Sequence, residues 1–282
     1  MTEKQILGVE ISSPTRIIFP QDNITKFDVA RYYESVAPLM MPHLKDRLVS
    51  VIRCHDNIDK NIFFKKHPVS EGQDIKIKKV GDDEYFSIQN PKGLIKQVQL
   101  GSVEFHTWGS SIYDLNHPNI MVFDLDPDTK LSLKLLRQGV VILKNTLDEL
   151  GLKSYLKTSG GKGYHVVVPF DKNFSWQKFS NFSIQIALLL ENQNPNLFTS
   201  NVRKENRKGK IYIDCARNTK GATCVAPYSL RARVGAPVSM PIEWSELNKF
   251  APNAFNLKNA ARYLKSHHAW SDFPKFMKPL EK

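Results

Sequence analysis

The chain has 282 residues, 41% of them apolar, enough for a substantial core built as one large domain or two small ones. Lys plus Arg exceed Asp plus Glu by 40 to 28, and the net charge of +12 draws the chain toward a polyanion, of which nucleic acid is the commonest. The longest apolar runs are a few residues, as at Ile186 to Leu190, and the start MTEKQILGVE is polar and acidic, so a membrane span and a signal peptide are not expected; three cysteines at spacings that fit neither a zinc ribbon nor a disulfide framework favour a reducing intracellular setting, and no chemistry is assigned to Cys54, Cys215 or Cys224.

The first clear element in chain order is NITKFDVARYYESVAPLMMPHL, where Thr25 caps a helix with Asp28 three residues on. Phe27, Ala30, Tyr33, Val36, Ala37 and Met40 share one face, and Pro42 lies near the end. NIMVFDLDPD reads as a strand from about Asn119, with Met121, Phe123 and Leu125 on one face and Ile120, Val122, Asp124 and Asp126 on the other. Two carboxylates on one face, with Cα atoms about 6.6–6.8 Å apart, suit a pair of cations; a turn made by Asp126, Pro127 and Asp128 after a strand is the plainer alternative.

A second helix is expected over about Ser132 to Leu150, stopped by Gly151, and a third over about Trp176 to Glu191. Between them TSGGKGYHVVVPF, residues 158 to 170, concentrates glycines, a lysine and a histidine. It is neither a Walker loop nor a dinucleotide fingerprint, because it runs into the strand-like Val166, Val167 and Val168 and not into a helix. The basic stretch NVRKENRKGK, 201 to 210, fits a solvated turn or a phosphate contact. Ile211 and Ile213 then alternate with Tyr212 and Asp214, a strand that ends in a third outward carboxylate. Arg217, Arg231 and Arg233 follow, and an extended RAR aims both of its guanidinium groups to one side. A solvated basic strand would look the same, but three acids at strand ends with a glycine-lysine hairpin between them make a metal and triphosphate site more economical. Strands in clusters between helices indicate an α+β fold, and no internal repeat or low-complexity linker divides the chain.

The ordered strings RCHDNIDKNIFFKKH, VEFHTWGS, MVFDLDPD, TSGGKGYHVVVP and YIDCARNTKGATCVAPYSLRARVGAPVSMPIEW resemble the polymerase domain of bacterial DNA ligase D, in the archaeo-eukaryotic primase superfamily. The resemblance covers essentially the whole chain from about Ile11. It implies a single primase-polymerase domain over 1–282, with an N-terminal part to about 115 and a catalytic core over about 116–282. That core is primase-like, mainly antiparallel strands flanked by helices, with N-terminal strands and a helix packed on it. It also implies that Asp124, Asp126 and Asp214 bind two divalent ions, Mn2+ or Mg2+, and that Ser159, Gly160, Gly161, Lys162 and His165 hold an incoming NTP or dNTP. With no helix dipole behind the hairpin, the anion would be held by amides that the glycines leave uncovered, by the lysine and by the metals. Arg217, Arg231 and Arg233 take the place of further phosphate and template contacts, His106 that of the family's site histidine, and Phe63 and Phe64 that of base-stacking aromatics beside Arg53.

The implied activity is two-metal nucleotidyl transfer that fills gaps or extends 3′ ends in non-homologous end joining, often with ribonucleotides. The implied partners are double-stranded DNA ends or gaps with a 5′-phosphate, for which Lys26 is the best candidate contact, though a solvated lysine in the helix's first turn fits it equally, together with a DNA ligase and a Ku-type end-binding protein. The implied location is cytoplasmic, on the nucleoid of a bacterium or archaeon. A metal-dependent nuclease or phosphatase and a non-catalytic end-binding module are the alternatives. The chain departs from the family at His55 and Asp56 after Arg53 and Cys54, at Lys65 after the two phenylalanines, and at Cys215 and Ala216 after the third acid. Base stacking and nucleotide selectivity are the transfers that the first two departures touch, while Cys215 and Ala216 read as changes in the core or behind the site.

Overall fold

Thr25 begins the first helix by a reciprocal cap. Its hydroxyl accepts from the Asp28 amide at 3.1 Å while the Asp28 carboxylate accepts from the Thr25 amide at 2.8 Å. The helix, α1, runs over Lys26–Leu44 and buries Val29, Ala30, Tyr32, Tyr33, Val36, Ala37 and Met40; Pro38 and Pro42 both lie within it. The computed structural model describes residues 4–60, 62–67, 72–170 and 174–273. These fall into two compact units. The first comprises Met1–Trp108, Val225–Met240 and Phe255–His268, and the second Gly109–Cys224, Pro241–Ala254 and the residues from Ala269.

In the first unit, β1 (Arg47–Cys54) pairs antiparallel with β2 (Ile62–Lys65), β3 (Ile75–Val80) pairs with β4 (Asp83–Ile88), and the part of β5 (Ser102–Ser111) up to Trp108 lies beside β1 in the order β5-β1-β4-β3. A helix that alternation had hidden, α2 (Pro91–Gln99), is capped by Asn90, whose side chain accepts from the Gly93 amide, and starts on Pro91. It buries Leu94, Ile95 and Val98 and packs on α1.

The second unit is built on a six-stranded sheet. Its strands are β6 (Ile120–Pro127), β7 (Tyr155–Thr158), β8 (Tyr164–Pro169), β9 (Phe198–Thr199), β10 (Ile211–Asp214) and β11 (Pro241–Ile242), in the order β9-β10-β6-β8-β7-β11. Every pairing is antiparallel except β9 with β10. The pleat sorts β6 as its alternation demands: Met121, Phe123 and Leu125 are fully buried, while Asp124 and Asp126 keep access to solvent. Two helices pack against β6: α3 (Leu133–Glu149), capped by Ser132, and α4 (Trp176–Gln193), capped by Ser175. Gly139 of α3 sits so close to Ile211 and Phe198 that a Cβ would meet them at 2.4 and 3.1 Å. Because Ile211 points away from Asp214, α3 covers the face opposite the carboxylates. On the carboxylate face, Val122, Tyr155 and Val167 are covered by Trp270 and Phe273, and the Trp270 indole donates to the Leu156 carbonyl at 3.0 Å. The last helix, α5 (Leu257–Leu264), is capped by Asn256 and belongs to the first unit. Mostly antiparallel sheets with five α-helices among the described residues make the α+β architecture that the strand clusters indicate.

Candidate active site

Antiparallel register assembles the site. Asp214 on β10, Asp124 on β6, His165 on β8 and Lys157 on β7 stand directly opposite one another on four neighbouring strands. Directly opposed residues share a face with Cα atoms about 4.5–5.5 Å apart, so residues far apart in sequence form one polar row. Asp126, two residues beyond Asp124, adds a third carboxylate to that face. His165 Nε2 lies 3.3 Å from Asp124 Oδ1, and Arg217 Nε lies 3.7 Å from Asp124 Oδ2 and 3.5 Å from Asp214 Oδ2. Lys162 Nζ is 3.7 Å from Asp126 Oδ1 and donates to the Pro127 carbonyl at 3.1 Å.

Arg217 is held by its neighbour. The buried Asn218 side chain accepts from the Val122 amide and donates to the Val122 carbonyl, both at 2.8 Å, which clamps the turn after β10 to the backbone of β6. Burial by itself would raise the pKa of Asp124, but the charges of His165, Arg217 and Lys157 hold it down at about 2. Asp126 is raised, by burial and then by the charge of Asp124, with Lys162 opposing both. The two acids are thus driven in opposite directions by environments two residues apart.

Behind His165 lies a second layer. Lys157 is buried almost completely, with Nζ 2.9 Å from His165 Nδ1, and Cys224 Sγ approaches the same nitrogen at 3.3 Å. Burial raises the Cys224 thiol, yet the charges of His165 and Lys157 outweigh it and lower the pKa to about 7. Lys157 was missed in the sequence, although pairing Thr158 with Tyr164 across the hairpin would have set it opposite His165. Cys224 carried no such signal.

The hairpin departs from the cradle its glycines suggest. The Gly161 and Gly163 amides donate to the Ser159 hydroxyl at 3.1 and 3.3 Å, the Ser159 amide to the Gly163 carbonyl at 3.1 Å and the Gly160 amide to the Pro252 carbonyl at 3.1 Å. These amides hold the loop and are not left uncovered for an anion. The glycines serve the backbone instead: Gly160 has φ +67°, and a Cβ on Gly163 would meet the Leu125 carbonyl oxygen at 2.1 Å. The polar side chains of the row and hairpin beside these amides are Ser159, Lys162 and His165.

Oxygen-only donors on a partly buried face suit hard divalent cations. In the arrangement described, no group of three or more His, Cys, Asp or Glu among the described residues converges as one metal site. Cationic side chains sit on the carboxylates instead, Arg217 across Asp124 and Asp214 and Lys162 on Asp126. The three carboxylates are donors of the kind such cations take, and in this arrangement Arg217 and Lys162 neutralise them.

The remaining sequence candidates lie in the first unit. Phe63 and Phe64 are both exposed on β2; Phe64 meets the His106 ring edge-on at 6.0 Å and Phe63 meets His55 at 5.5 Å. Arg53 is buried and donates to Ser102 Oγ at 3.3 Å and Gln97 Oε1 at 2.9 Å. Arg231 donates through Nε to Glu104 Oε2 at 3.0 Å, and His106 Nε2 meets the same oxygen at 2.9 Å. The RAR segment is not extended. The Arg233 amide donates to the Arg231 carbonyl and the Ala236 amide to the Arg233 carbonyl, so the chain turns there and leaves Arg233 exposed. Lys26 is buried, with Nζ donating to the Ser12 carbonyl, the Ser12 hydroxyl and Gln99 Oε1 at 3.0, 3.3 and 2.8 Å. Glu104 and Asn218 were missed in the sequence, Glu104 because its partner Arg231 lies 127 residues away.

This antiparallel sheet and polar face place the chain in the primase-polymerase class. The model of the LigD primase-polymerase domain matches residues 25–270, and the chain belongs to that family. It is 36% identical over 279 residues to the multifunctional non-homologous end joining protein LigD of Pseudomonas aeruginosa, covering 94% of this chain and 33% of that protein. It is 31% identical to the LigD of Mycolicibacterium smegmatis, covering 85% of this chain and 32% of that protein. The chain therefore spans about a third of the length of these curated relatives. Among solved structures it is similar to the polymerase domain of Mycobacterium tuberculosis Ligase D in complex with DNA. The TM-score is 0.87 at 26% identity, over 95% of this chain and 98% of that one.

Proposed function

We propose that the chain acts as a DNA-end-directed polymerase that extends 3′ ends and fills short gaps with NTPs or dNTPs during non-homologous end joining, as one primase-polymerase domain. The observation that carries this reading is the cross-strand row Asp214, Asp124 and His165 with Asp126 beside it, on one partly buried face of an antiparallel sheet. Asp124, Asp126 and Asp214 would hold two divalent cations, Mn2+ or Mg2+. When bound, these supply activation of the primer 3′-hydroxyl and charge neutralisation at the triphosphate. Lys162, Ser159 and His165 bind and orient the triphosphate; Arg217, now across two carboxylates, turns to phosphate as cations take its place. Phe63 and Phe64 offer π faces for a base, with His106, Arg53, Arg231 and Arg233 as polar contacts around them. Lys26 takes the downstream 5′-phosphate. A DNA ligase and a Ku-type end-binding protein are the partners such a gap-filler needs, at the nucleoid in the cytoplasm. No helix among the described residues is long and apolar enough to cross a membrane.

The test is extension of a gapped duplex with ribo- and deoxynucleotides, with Mn2+ or Mg2+, run on the parent and on Asp126→Ala beside melting curves. A carboxylate whose folded-state pKa is raised opposes folding at neutral pH, so metal-free Asp126→Ala should melt at or above the parent. Extension should disappear, and with it much of the stabilisation by manganese. A destabilised but active variant would sink the metal assignment. Shortening of labelled DNA without nucleotide would point to a nuclease, and binding with no extension by the parent to an end-binding module.

A further inference from the structure

We propose that Glu104 is a positioning residue that locks His106 and Arg231 into one preset recognition unit for the incoming nucleotide and its template base; this rests on the reading of those two residues given above. Glu104 and His106 are two apart on β5 and so share a face, while Val103 and Phe105 point the other way into the core, with Phe105 edge-on to Tyr33. The carboxylate is all but closed to solvent, its side chain 3% exposed, whereas those of His106 and Arg231 are 14% and 15% exposed. The histidine and the arginine keep some exposure, and Glu104 acts only through them.

Among the described residues the carboxylate accepts from three donors. Oε2 accepts from His106 Nε2 at 2.9 Å and from Arg231 Nε at 3.0 Å, and Oε1 accepts from the Ala232 amide at 2.7 Å. One carboxylate thereby ties a strand to the turn that presents Arg231. Each contact also selects a geometry. An ionised carboxylate only accepts, so Nε2 of His106 carries the hydrogen and the tautomer is set. Arg231 is gripped through Nε, so the contact orients the guanidinium plane. Burial raises the Glu104 pKa, but the His106 bond and the Arg231 charge outweigh it and hold it at about 2, so the group stays ionised throughout the working range of pH. Phe64 closes on the ring of His106, which links the preset pair to the exposed aromatic strand.

The experiment compares steady-state gap filling by Glu104→Gln, His106→Ala, Arg231→Ala and the combination of Glu104→Gln with Arg231→Ala. Gln keeps the shape but loses the charge and one acceptor oxygen. Its nucleotide KM should rise on the order of 10-fold, with a smaller fall in kcat and a melting temperature near that of the parent. In the Arg231→Ala background the same change should add much less, because the shared contact is already gone. If His106→Ala and Arg231→Ala leave the nucleotide KM unchanged, the underlying reading of those residues fails. If both raise it while Glu104→Gln does not, or if the two losses simply add, the positioning role of Glu104 fails. A second measurement needs no variant: 15N NMR of the parent should find His106 protonated at Nε2, and a ring protonated at Nδ1 alone would overturn the proposal.

Discussion

Lys26 opens the first turn of α1, where a lysine is ordinarily solvated, yet its ammonium is buried against three neutral oxygens. Burial, and then the charge of Arg16, lower its pKa to about 8. The sign follows from linkage. Between about 8 and its ordinary value near 10.5 the unfolded chain binds the proton more tightly, so folding stability rises with pH across that window. Lys26→Met should remove that rise and leave the ligand-free protein more stable at pH 7, by on the order of 1 kcal/mol. A buried ammonium with no carboxylate partner among the described residues is suited to an incoming anion. Discrimination between gaps with and without a 5′-phosphate should therefore weaken as the pH passes 8, and denaturant titrations at several pH values beside binding to both gaps check the pair of expectations. A pH-independent preference would mean that Lys26 holds only Ser12 and Gln99. What the sequence could show of such residues was their position and type. Burial of Lys26, the low pKa of Cys224 and the grip of Glu104 on Arg231 all depend on contacts between residues distant in the chain, and periodicity does not report those.

At the scale of elements, the parts that were legible share a local cause. The capping box at Thr25, the stop at Gly151 with its φ of +70° and the alternation of β6 and β10 are written within a few residues. The helix α2 was no less marked, with Asn90, Pro91 and the spaced Leu94, Ile95 and Val98, but nine residues hold too few turns for the 3.6 period to stand out from alternation. RAR misled because Gly235, at φ +87°, ends a turn there. Gly163 offers the sharpest test of how elements hold the site. A methyl group there drives into the Leu125 carbonyl, on the strand that carries Asp124 and Asp126. Gly163→Ala should cost about 1–3 kcal/mol or more and reduce extension strongly, because β6 and β8 must separate to admit it. Gly72→Ala, where a Cβ meets nothing within 4 Å, should stay within about 0.5 kcal/mol of the parent. Equal effects of the two substitutions, measured by denaturant unfolding, would show that the close approach at Gly163 is relaxed in solution.

For the molecule as a whole, a net charge of +12 makes attraction to DNA the background against which any specific contact must be measured. Each phosphate neutralised by a lysine or arginine contributes a slope of about −0.9 to log K against log salt, whether the contact is specific or diffuse. Slope alone therefore cannot separate a 5′-phosphate site from a basic surface. A difference between two substrates can. Lys78 lies exposed on β3, and Lys26 is buried beneath α2 residue Gln99. Lys78→Ala, if it removes one diffuse contact, should flatten the slope by about one contact on phosphorylated and unphosphorylated gaps alike. Lys26→Ala should flatten it by a similar amount on the phosphorylated gap and scarcely at all on the other. Binding isotherms from about 50 to 200 mM salt, for both variants on both gaps, give four slopes to compare with the parent. Equal flattening by Lys26→Ala on the two substrates would assign that lysine to the general field of the protein and leave the 5′-phosphate without its proposed contact.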